Sequence, residues 1–526
     1  MATASLEADD ILSRLRTLLP ADSILTDDDN RRFYATDIYA TRKLPLAVVL
    51  PCTVEQVQAI VRACAEFRSP IAIRGGGASY TDGYTHNAAR GITLSTERLS
   101  QILEIDEQDA TVTVEAGVTW KQLHEALAPL GWRTPFFGPF SGLHATIGGG
   151  LSQNSVSHGS AAHGSAAESL LSLEIVTGTG DLLQTGSAGS ANPDPFFRHF
   201  GPDMAGLFTG DCGALGIKAR ITLRMIRSAP AVAFASFRFE TFEALHSTMR
   251  AIAIEKLDDE HFAIDAVIQQ GQLDRQTGVN AKLGIAQSVM ANSGSFLSGV
   301  ATLAKMAVGT EALKVAPYVG HWTLEGVTEA EADARLDRLR TLAKSHGEEI
   351  PPTVPTVARA MPFAPFTNTL GAQGERWVPV HGIFPHSRVQ GFHHALQALL
   401  RSNQPALDEH AIRLGAMFLC PAPNAFLYEP CFYWPDARSI YHDRIVPREA
   451  LASLPAHPAN PAAANEVKRL KSEIADLMHT HGAAHFQIGR TYPYAKGRYP
   501  QSPLLLRAIK AALDPHYILS PGALGL

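Results

Sequence analysis

A glycine run, Arg74-Gly75-Gly76-Gly77-Ala78-Ser79-Tyr80, directly follows the apolar sequence Pro70-Ile71-Ala72-Ile73. Glycine has no Cβ, so consecutive glycines let backbone N–H groups converge on an anion and accept positive φ angles. A pyrophosphate group suits such a loop, although a tight turn would have the same composition. The run is not a GxGxxG dinucleotide fingerprint, because no helical pattern with an acidic residue about 20 positions later follows it.

The sequence around this loop predicts a strand–helix–strand unit. Residues 46–50 and 70–74 are apolar runs typical of buried strands, and residues 54–67 have apolar side chains at helical spacing. So short a connection predicts parallel strands with a right-handed crossover. Further strands are predicted at residues 102–106, 111–115, 170–177 and 182–185, the last two as a hairpin, and a helix at residues 118–130.

Two more glycine-rich segments follow. The first contains Ala145-Thr146-Ile147-Gly148-Gly149-Gly150, with Ser152 and Asn154 after it, and the second contains Gly210, Gly213, Gly216 and Ile217. One such loop is an ordinary turn. Three such loops, each bordered by apolar strands, favour an extended cofactor lying along a cleft.

Length and composition limit the class of protein. The 526 residues suit two or three domains, and 45% hydrophobic residues are enough for a large core. The net charge of −6, without a basic block, argues against nucleic-acid binding. Five cysteines without a CxxC pair predict reduced thiols in a cytoplasmic protein and no metal site. Without a run of about 18 apolar residues, a soluble protein with no membrane segment is expected.

The composition shifts after Arg227. Helices are predicted at residues 329–345 and 393–402, and strands at residues 416–419 and 425–433. We therefore expect a second domain at residues 228–475. The last fifty residues include one short predicted helix, residues 503–513.

At these motifs the sequence resembles the FAD-linked oxidoreductases of the vanillyl-alcohol oxidase and p-cresol methylhydroxylase family. The resemblance rests on residues 73–79, on residues 145–149 with His163-Gly164 and residues 173–176, on residues 208–217 and on residues 512–522. It implies an α+β, two-domain FAD-binding fold of the p-cresol methylhydroxylase type. The FAD-binding domain would comprise residues 1–227 in two α+β subdomains. Residues 228–475 would form a cap, or substrate, domain of antiparallel sheet plus helices, and residues 476–526 would return to the FAD domain.

The resemblance also implies FAD as the cofactor and a set of residues that bind it. These are Arg74, Gly75, Gly76, Gly77, Ala78, Ser79, Thr146, Ile147, Gly148, Gly149, Ser152, Asn154, His163, Gly213, Gly216 and Ile217. The histidine that attaches FAD in the sugar-oxidising branch is absent, because Ala78 and Ser79 occupy that stretch. Non-covalent FAD is therefore expected. A covalent link through His381 is the alternative, because the phenol-oxidising branch attaches FAD through a cap residue close to that place.

Four residues are candidates for the substrate pocket. Arg490 offers paired donors to a carboxylate or phenolate, and an ion-paired or surface arginine is the alternative interpretation. Glu429 lies on a strand that is predicted to be buried, where a carboxyl would have a raised pKa and could serve as a base. Tyr428 and Glu429 point to opposite faces of that strand, and His381 is either a pocket residue or a core histidine. The phenol-oxidising branch has an Asp in the central segment, where Ser152-Gln153-Asn154 stands here.

The resemblance implies an FAD-dependent oxidase or dehydrogenase. Its substrate would be a small organic alcohol, a para-substituted phenol or a 2-hydroxy acid, and oxygen or an electron-acceptor protein would reoxidise the flavin. A homodimer is common among such enzymes. Two alternatives remain: a non-redox FAD transferase resembling alkylglycerone-phosphate synthase, for which Arg438, His442 and Arg444 are a weak indication, and a non-catalytic flavin carrier.

Overall fold

The computed structural model describes residues 2–87, 90–191, 194–276, 316–363 and 366–526, which form a mixed α and β fold. Its helices are α1 (Ala2–Leu18), α2 (Asp28–Tyr34), α3 (Val54–Glu66), α4 (Trp120–Leu127), α5 (Ile147–Gln153), α6 (Ser160–His163), α7 (Phe242–Glu255), α8 (Ala266–Gln276), α9 (Glu329–Ala343), α10 (Thr353–Ala360), α11 (His386–Ser402), α12 (Gln404–Glu409), α13 (Ile440–Ile445), α14 (Arg448–Ser453), α15 (Pro461–Thr480) and α16 (Gln501–Leu513).

The first glycine loop follows a strand of a four-stranded sheet. In spatial order its strands are β1 (Ile24–Leu25), β2 (Ala47–Val49), β4 (Ile92–Ser95) and β3 (Ile71–Arg74). The predicted strands β2 and β3 are parallel, but β4 lies between them and pairs with both. The C-terminal segment extends this sheet, because the Ile71 N–H donates to the Ile518 carbonyl and the Ser520 N–H donates to the Ile71 carbonyl.

A five-stranded antiparallel sheet carries the other two glycine segments. In spatial order its strands are β5 (Ile102–Asp106), β6 (Thr111–Glu115), β10 (Ile217–Arg224), β8 (Leu170–Val176) and β9 (Leu182–Gln184). The predicted hairpin of β8 and β9 is confirmed. The short strands β7 (Trp132–Arg133) and β11 (Ile226–Arg227) pair antiparallel and form a separate two-stranded sheet.

The second half of the chain forms an antiparallel sheet of eight strands, which we call the cap sheet. In spatial order they are β15 (Glu348–Ile350), β12 (Ala231–Phe239), β14 (Tyr318–Gly326), β13 (Glu260–Asp265), β18 (Arg413–Ala422), β19 (Ala425–Trp434) and β16 (Arg376–Pro379), with β17 (Gly382–Pro385) also paired to β19.

The two faces of the cap sheet have different neighbours. Phe418, Phe426 and Phe432 belong to the largest apolar core, together with residues of α7, α11 and α15. The opposite face meets the glycine-rich half of the chain, where the rings of Phe262 and Phe140 are 5.9 Å apart. We call this second face the roof face.

The predicted start of one helix is wrong. The helix predicted at residues 393–402 begins at His386, directly after Pro385, and ends at Ser402. His393 and His394 interrupt the apolar pattern, so the first turns of the helix gave no signal. Across the described ranges, no helix has the length and apolar character needed to cross a bilayer.

Candidate functional site

The three glycine-rich segments line one cavity with an empty volume of about 860 Å³. The predicted residues that line it are Gly75, Gly76, Gly77, Ala78, Ser79, Thr146, Gly148, Gly149, Ser152, Gly213 and Gly216. The structure therefore brings together three segments that are spread over residues 75–218 of the chain.

Glycine is required where the first two segments touch. A Cβ on Gly76 would lie 1.6 Å from the backbone oxygen of His144, and a Cβ on Gly75 would lie 2.4 Å from the Thr146 Oγ1. Neither distance is possible for a side chain, so only glycine lets the two backbones approach so closely. Glycines and small side chains dominate this part of the cavity, which suits the pyrophosphate of FAD.

Other predicted cofactor residues lie behind the cavity wall. Ile147 and Ile217 are packed in apolar cores, and Asn154 ends α5 in the left-handed conformation at φ 50°. The half-buried His163 ends α6, and burial, with nearby arginines, lowers its pKa to about 4. The structure does not place these side chains on the cavity.

Arg74 also lies behind the wall. Its guanidinium is 4.8 Å from the ring centroid of Phe33, 4.6 Å from that of Tyr34 and 5.4 Å from that of Tyr84. Its Nε and Nη2 have no hydrogen-bond partner. The position of a Gly77 Cβ would be 2.2 Å from Arg74 Nη2, so the guanidinium supports the loop from beneath.

The sequence reasoning missed several polar residues on the cavity, among them Gln153, Cys212, Lys218 and Gln487. The Lys218 Nζ donates to the Asp211 Oδ1 at 2.7 Å in a buried ion pair, and burial raises the pKa of the Cys212 thiol to about 12. Gln487 has a positive φ of 47°, and its N–H donates to the Gln153 carbonyl at 2.8 Å. Charged residues flanking a glycine segment, Asp211 and Lys218, were the available sequence signal.

His381 and Glu429 lie side by side on the roof face. Pro379 pairs with Cys431, and Gly382 pairs with Tyr428, so the register is continuous across the gap between β16 and β17. His381 is therefore directly opposite Glu429. Side chains that oppose each other in this way have Cβ atoms roughly 5 Å apart.

Both side chains of this pair are buried. The His381 imidazole has no hydrogen bond at Nδ1 or Nε2, and burial lowers its pKa well below the ordinary value, so it is neutral. Burial raises the pKa of Glu429 to about 7. Buried polar groups in folded proteins nearly always have partners, so the unpartnered imidazole of His381, opposite a buried carboxyl, makes this pair a candidate for contact with a ligand.

Aromatic rings enclose the pair and connect it to the cavity. The His381 ring is stacked 4.1 Å from Phe486 and lies 5.9 Å from Tyr80 and 5.1 Å from Tyr492, between ring centroids. The Tyr80 hydroxyl shares a hydrogen bond with the side chain of the cavity residue Gln487. The pair is thus one residue away from the cavity.

The structure does not bring Tyr428 to this site. Tyr428 points to the other face of β19, where its hydroxyl bonds the His393 Nδ1 at 2.9 Å and its ring packs 4.8 Å from that of Phe418. Adjacent residues of a strand point to opposite faces. Tyr428 is a core residue, which corrects its prediction as a pocket residue.

Arg490 has its donors engaged elsewhere. Its Nη1 donates to the carbonyls of Asp82 and Thr85, and its Nε and Nη2 donate to the Pro521 carbonyl. The guanidinium thus joins the C-terminal segment to the loop after Tyr80. This geometry favours a structural role over the predicted substrate contact. In the part of the chain that the structure describes, no group of three or more His, Cys, Asp or Glu side chains could hold a metal ion.

Known proteins resemble this chain in sequence and in fold. Residues 45–186 match the FAD binding domain family. Over 235 residues the chain is 30% identical to the glycolate oxidase subunit GlcD of Escherichia coli (strain K12). This match covers 44% of this chain and 45% of that protein. Over 531 residues it is 26% identical to the D-2-hydroxyglutarate dehydrogenase of Xanthomonas citri pv. viticola. This match covers 97% of this chain and 96% of that protein. The match to the first relative thus spans less than half of that protein's length.

Two solved structures share the whole fold. p-Cresol methylhydroxylase with substrate bound has a TM-score of 0.71 at 18% identity and covers 99% of this chain and 97% of its own. Alkyldihydroxyacetonephosphate synthase has a TM-score of 0.67 at 16% identity, and the match covers 97% of this chain and 86% of that one. Residues 45–186 therefore lie in an FAD-binding domain, and the chain as a whole has the two-domain fold of p-cresol methylhydroxylase.

Proposed function

We propose that this protein is an FAD-dependent oxidoreductase, of the vanillyl-alcohol oxidase family, that oxidises a small organic alcohol, phenol or hydroxy acid. The observation that carries the proposal is the cavity lined by three glycine segments, together with the buried pair of His381 and Glu429 near it. The names of the relatives, a glycolate oxidase subunit and a D-2-hydroxyglutarate dehydrogenase, support oxidation of a carbon that bears a hydroxyl group.

The residues of the site divide into two tasks. The glycine segments would hold FAD, and bound FAD would supply the acceptor for the hydride, with its two electrons, that leaves the substrate carbon. Glu429, as a carboxylate, accepts the proton of the substrate hydroxyl. His381 is neutral and offers an acceptor nitrogen and an N–H donor to orient the same hydroxyl.

The order of the sheets supports the predicted domain boundaries. The cap sheet begins with β12 at Ala231 and the helix α15 ends at Thr480, close to the proposed limits of 228 and 475. We propose that residues 1–227 and 476–526 form the FAD-binding domain. Five free cysteines support a reducing, cytoplasmic location, with oxygen or an electron-acceptor protein as oxidant and a homodimer as the assembly.

The transferase alternative has little support in the cap. Arg438 donates to the carbonyls of Leu451 and Leu454, and Arg444 donates to the Asn30 Oδ1. The His442 Nδ1 bonds Ser439. These contacts engage most donors of the two arginines within the chain, whereas the Arg438 Nε and the His442 Nε2 are buried without a hydrogen-bond partner among the described residues.

The first experiment is an absorbance spectrum of purified protein before and after acid precipitation. We expect flavin bands, with the yellow colour released to the supernatant because FAD is non-covalent. Colour that stays in the pellet would instead show a covalent link, and His381→Gln would then release it. Anaerobic bleaching by an alcohol, phenol or hydroxy acid tests the activity. A protein that takes up no FAD, or whose FAD no donor reduces, would contradict the proposal, and the second result would favour a flavin carrier.

A further inference from the structure

The surroundings of His381 and Glu429 indicate the charge of the substrate. We propose, on the basis of the function proposed above, that the substrate is an uncharged alcohol, and that carboxylate and phenolate substrates are excluded. The rings that pack against His381 belong to neutral aromatic side chains. Trp377 lies 5.6 Å from Tyr80, and Tyr492 and Phe486 flank the His381 ring.

Arg490 supplies no charge-assisted hydrogen bond to this site. Recognition of a carboxylate normally uses a guanidinium with two free parallel donors. Four of the hydrogen bonds of Arg490 go to backbone carbonyls of two loops. Turning the guanidinium toward a substrate would leave those carbonyls without a partner, which is costly for buried groups.

Two basic groups, His485 and Lys471, act electrostatically on His381. The His485 Nδ1 bonds the His381 carbonyl at 2.8 Å, and burial lowers the pKa of His485. Lys471 carries the positive charge. Its ammonium is already held: it lies 3.4 Å from the Tyr80 carbonyl and 4.3 Å from the Tyr39 ring centroid. The carboxylates of Asp37 and Asp82 compensate its charge. Burial nevertheless lowers the pKa of Lys471 to about 8, so its positive charge weakens as the pH rises through this value.

Glu429 itself opposes an anionic substrate. Among the residues that the structure describes, no hydrogen bond or cation compensates its carboxyl, and burial raises its pKa to about 7. A substrate carboxylate beside it would add a second uncompensated negative charge, so one of the two groups would have to take up a proton. The base could then no longer accept the proton of the substrate hydroxyl.

Matched pairs of donors test the inference on the FAD-containing protein. Anaerobic flavin reduction would be followed with methyl mandelate against mandelate, methyl lactate against lactate, and benzyl alcohol as a donor without an acyl group. We expect the neutral member of a pair to reduce the flavin at least ~100-fold more efficiently than the anion. Equal or faster reduction by the anions would overturn the inference but leave the proposed oxidoreductase intact. Absence of reduction by every donor would instead contradict the proposed function, and the inference with it.

A binding measurement separates recognition from turnover. Benzamide and benzoate, which have the same ring and differ in charge, would be titrated against the flavin absorbance. We expect benzamide to perturb the spectrum and benzoate to bind at least ~10-fold more weakly. Glu429→Gln should then tighten benzoate binding, whereas the exposed Glu104→Gln should not change it. Benzoate that binds the unmodified protein as tightly as benzamide would overturn the inference.

Discussion

Replacing Glu429 by Gln should stabilise the protein at alkaline pH and leave its stability unchanged at acidic pH. Burial raises the pKa of Glu429 from its ordinary value of 4.5 to about 7. The folded state then holds the proton more tightly than the unfolded state, so stability is lost as the pH rises from 4.5 through 7. A rise of that size corresponds to roughly 3 kcal/mol. Gln has a similar shape and no charge, so it escapes this loss.

The measurement is the free energy of unfolding by urea, followed by tryptophan fluorescence at a series of pH values. The Gln variant should exceed the unmodified protein by about 3 kcal/mol near pH 8 and match it near pH 4.5. The matched control is Glu104→Gln, an exposed carboxyl on β5, which should show no such trend. A difference that is constant with pH, or a variant that is less stable near pH 8, would refute the assignment of Glu429 as an unpaired buried carboxyl.

Three other outcomes follow from the geometry. Glu429→Gln should slow flavin reduction by roughly 10²–10⁴-fold, because the base is lost. In the unmodified protein the rate of flavin reduction should rise with pH through about 7, because the carboxylate form is needed. A rate that does not depend on pH would contradict this role. Gly76→Ala should reduce FAD affinity at least ~10-fold, measured by flavin fluorescence, because the new Cβ would overlap the His144 carbonyl. Gly271→Ala, on a helix with nothing near its Cβ, is the control that should bind FAD normally. Arg490→Met should lower the free energy of unfolding by about 2–4 kcal/mol, because buried carbonyls lose their donors, while the substrate concentration for half-maximal flavin reduction stays unchanged; a large rise in that concentration would restore Arg490 as a substrate contact.

The sequence predicted the cofactor cavity well because glycine leaves a local signal. Gly75 and Gly76 are needed wherever two backbones approach closely, and that requirement is visible without knowing the partner segment. Gln153 and Gln487 were missed because their place on the cavity depends on a hydrogen bond between segments more than three hundred residues apart. No spacing in the sequence encodes such a contact.

The substrate side was only partly predictable. Strand alternation correctly placed Tyr428 and Glu429 on opposite faces of the strand. It did not predict which of the two faces meets the half of the chain that carries the cofactor cavity. That choice depends on where α7, α11 and α15 pack. Arg490 was interpreted as a substrate contact because a guanidinium suits a carboxylate. The sequence could not reveal that backbone carbonyls of two distant loops converge on it.

The two faces of β19 place different constraints on amino-acid substitution in this chain. Tyr428, Phe426 and Phe432 carry the packing against the helices, whereas Glu429 and Cys431 face the cofactor half. Substitutions at the second set can therefore alter what the enzyme accepts without loosening the core. Insertion of a single residue into β19 would turn each set of side chains to the opposite face, so the core packing and the substrate-facing residues would be lost together. We expect divergence of substrate preference to proceed along this strand by replacement alone, at alternate positions.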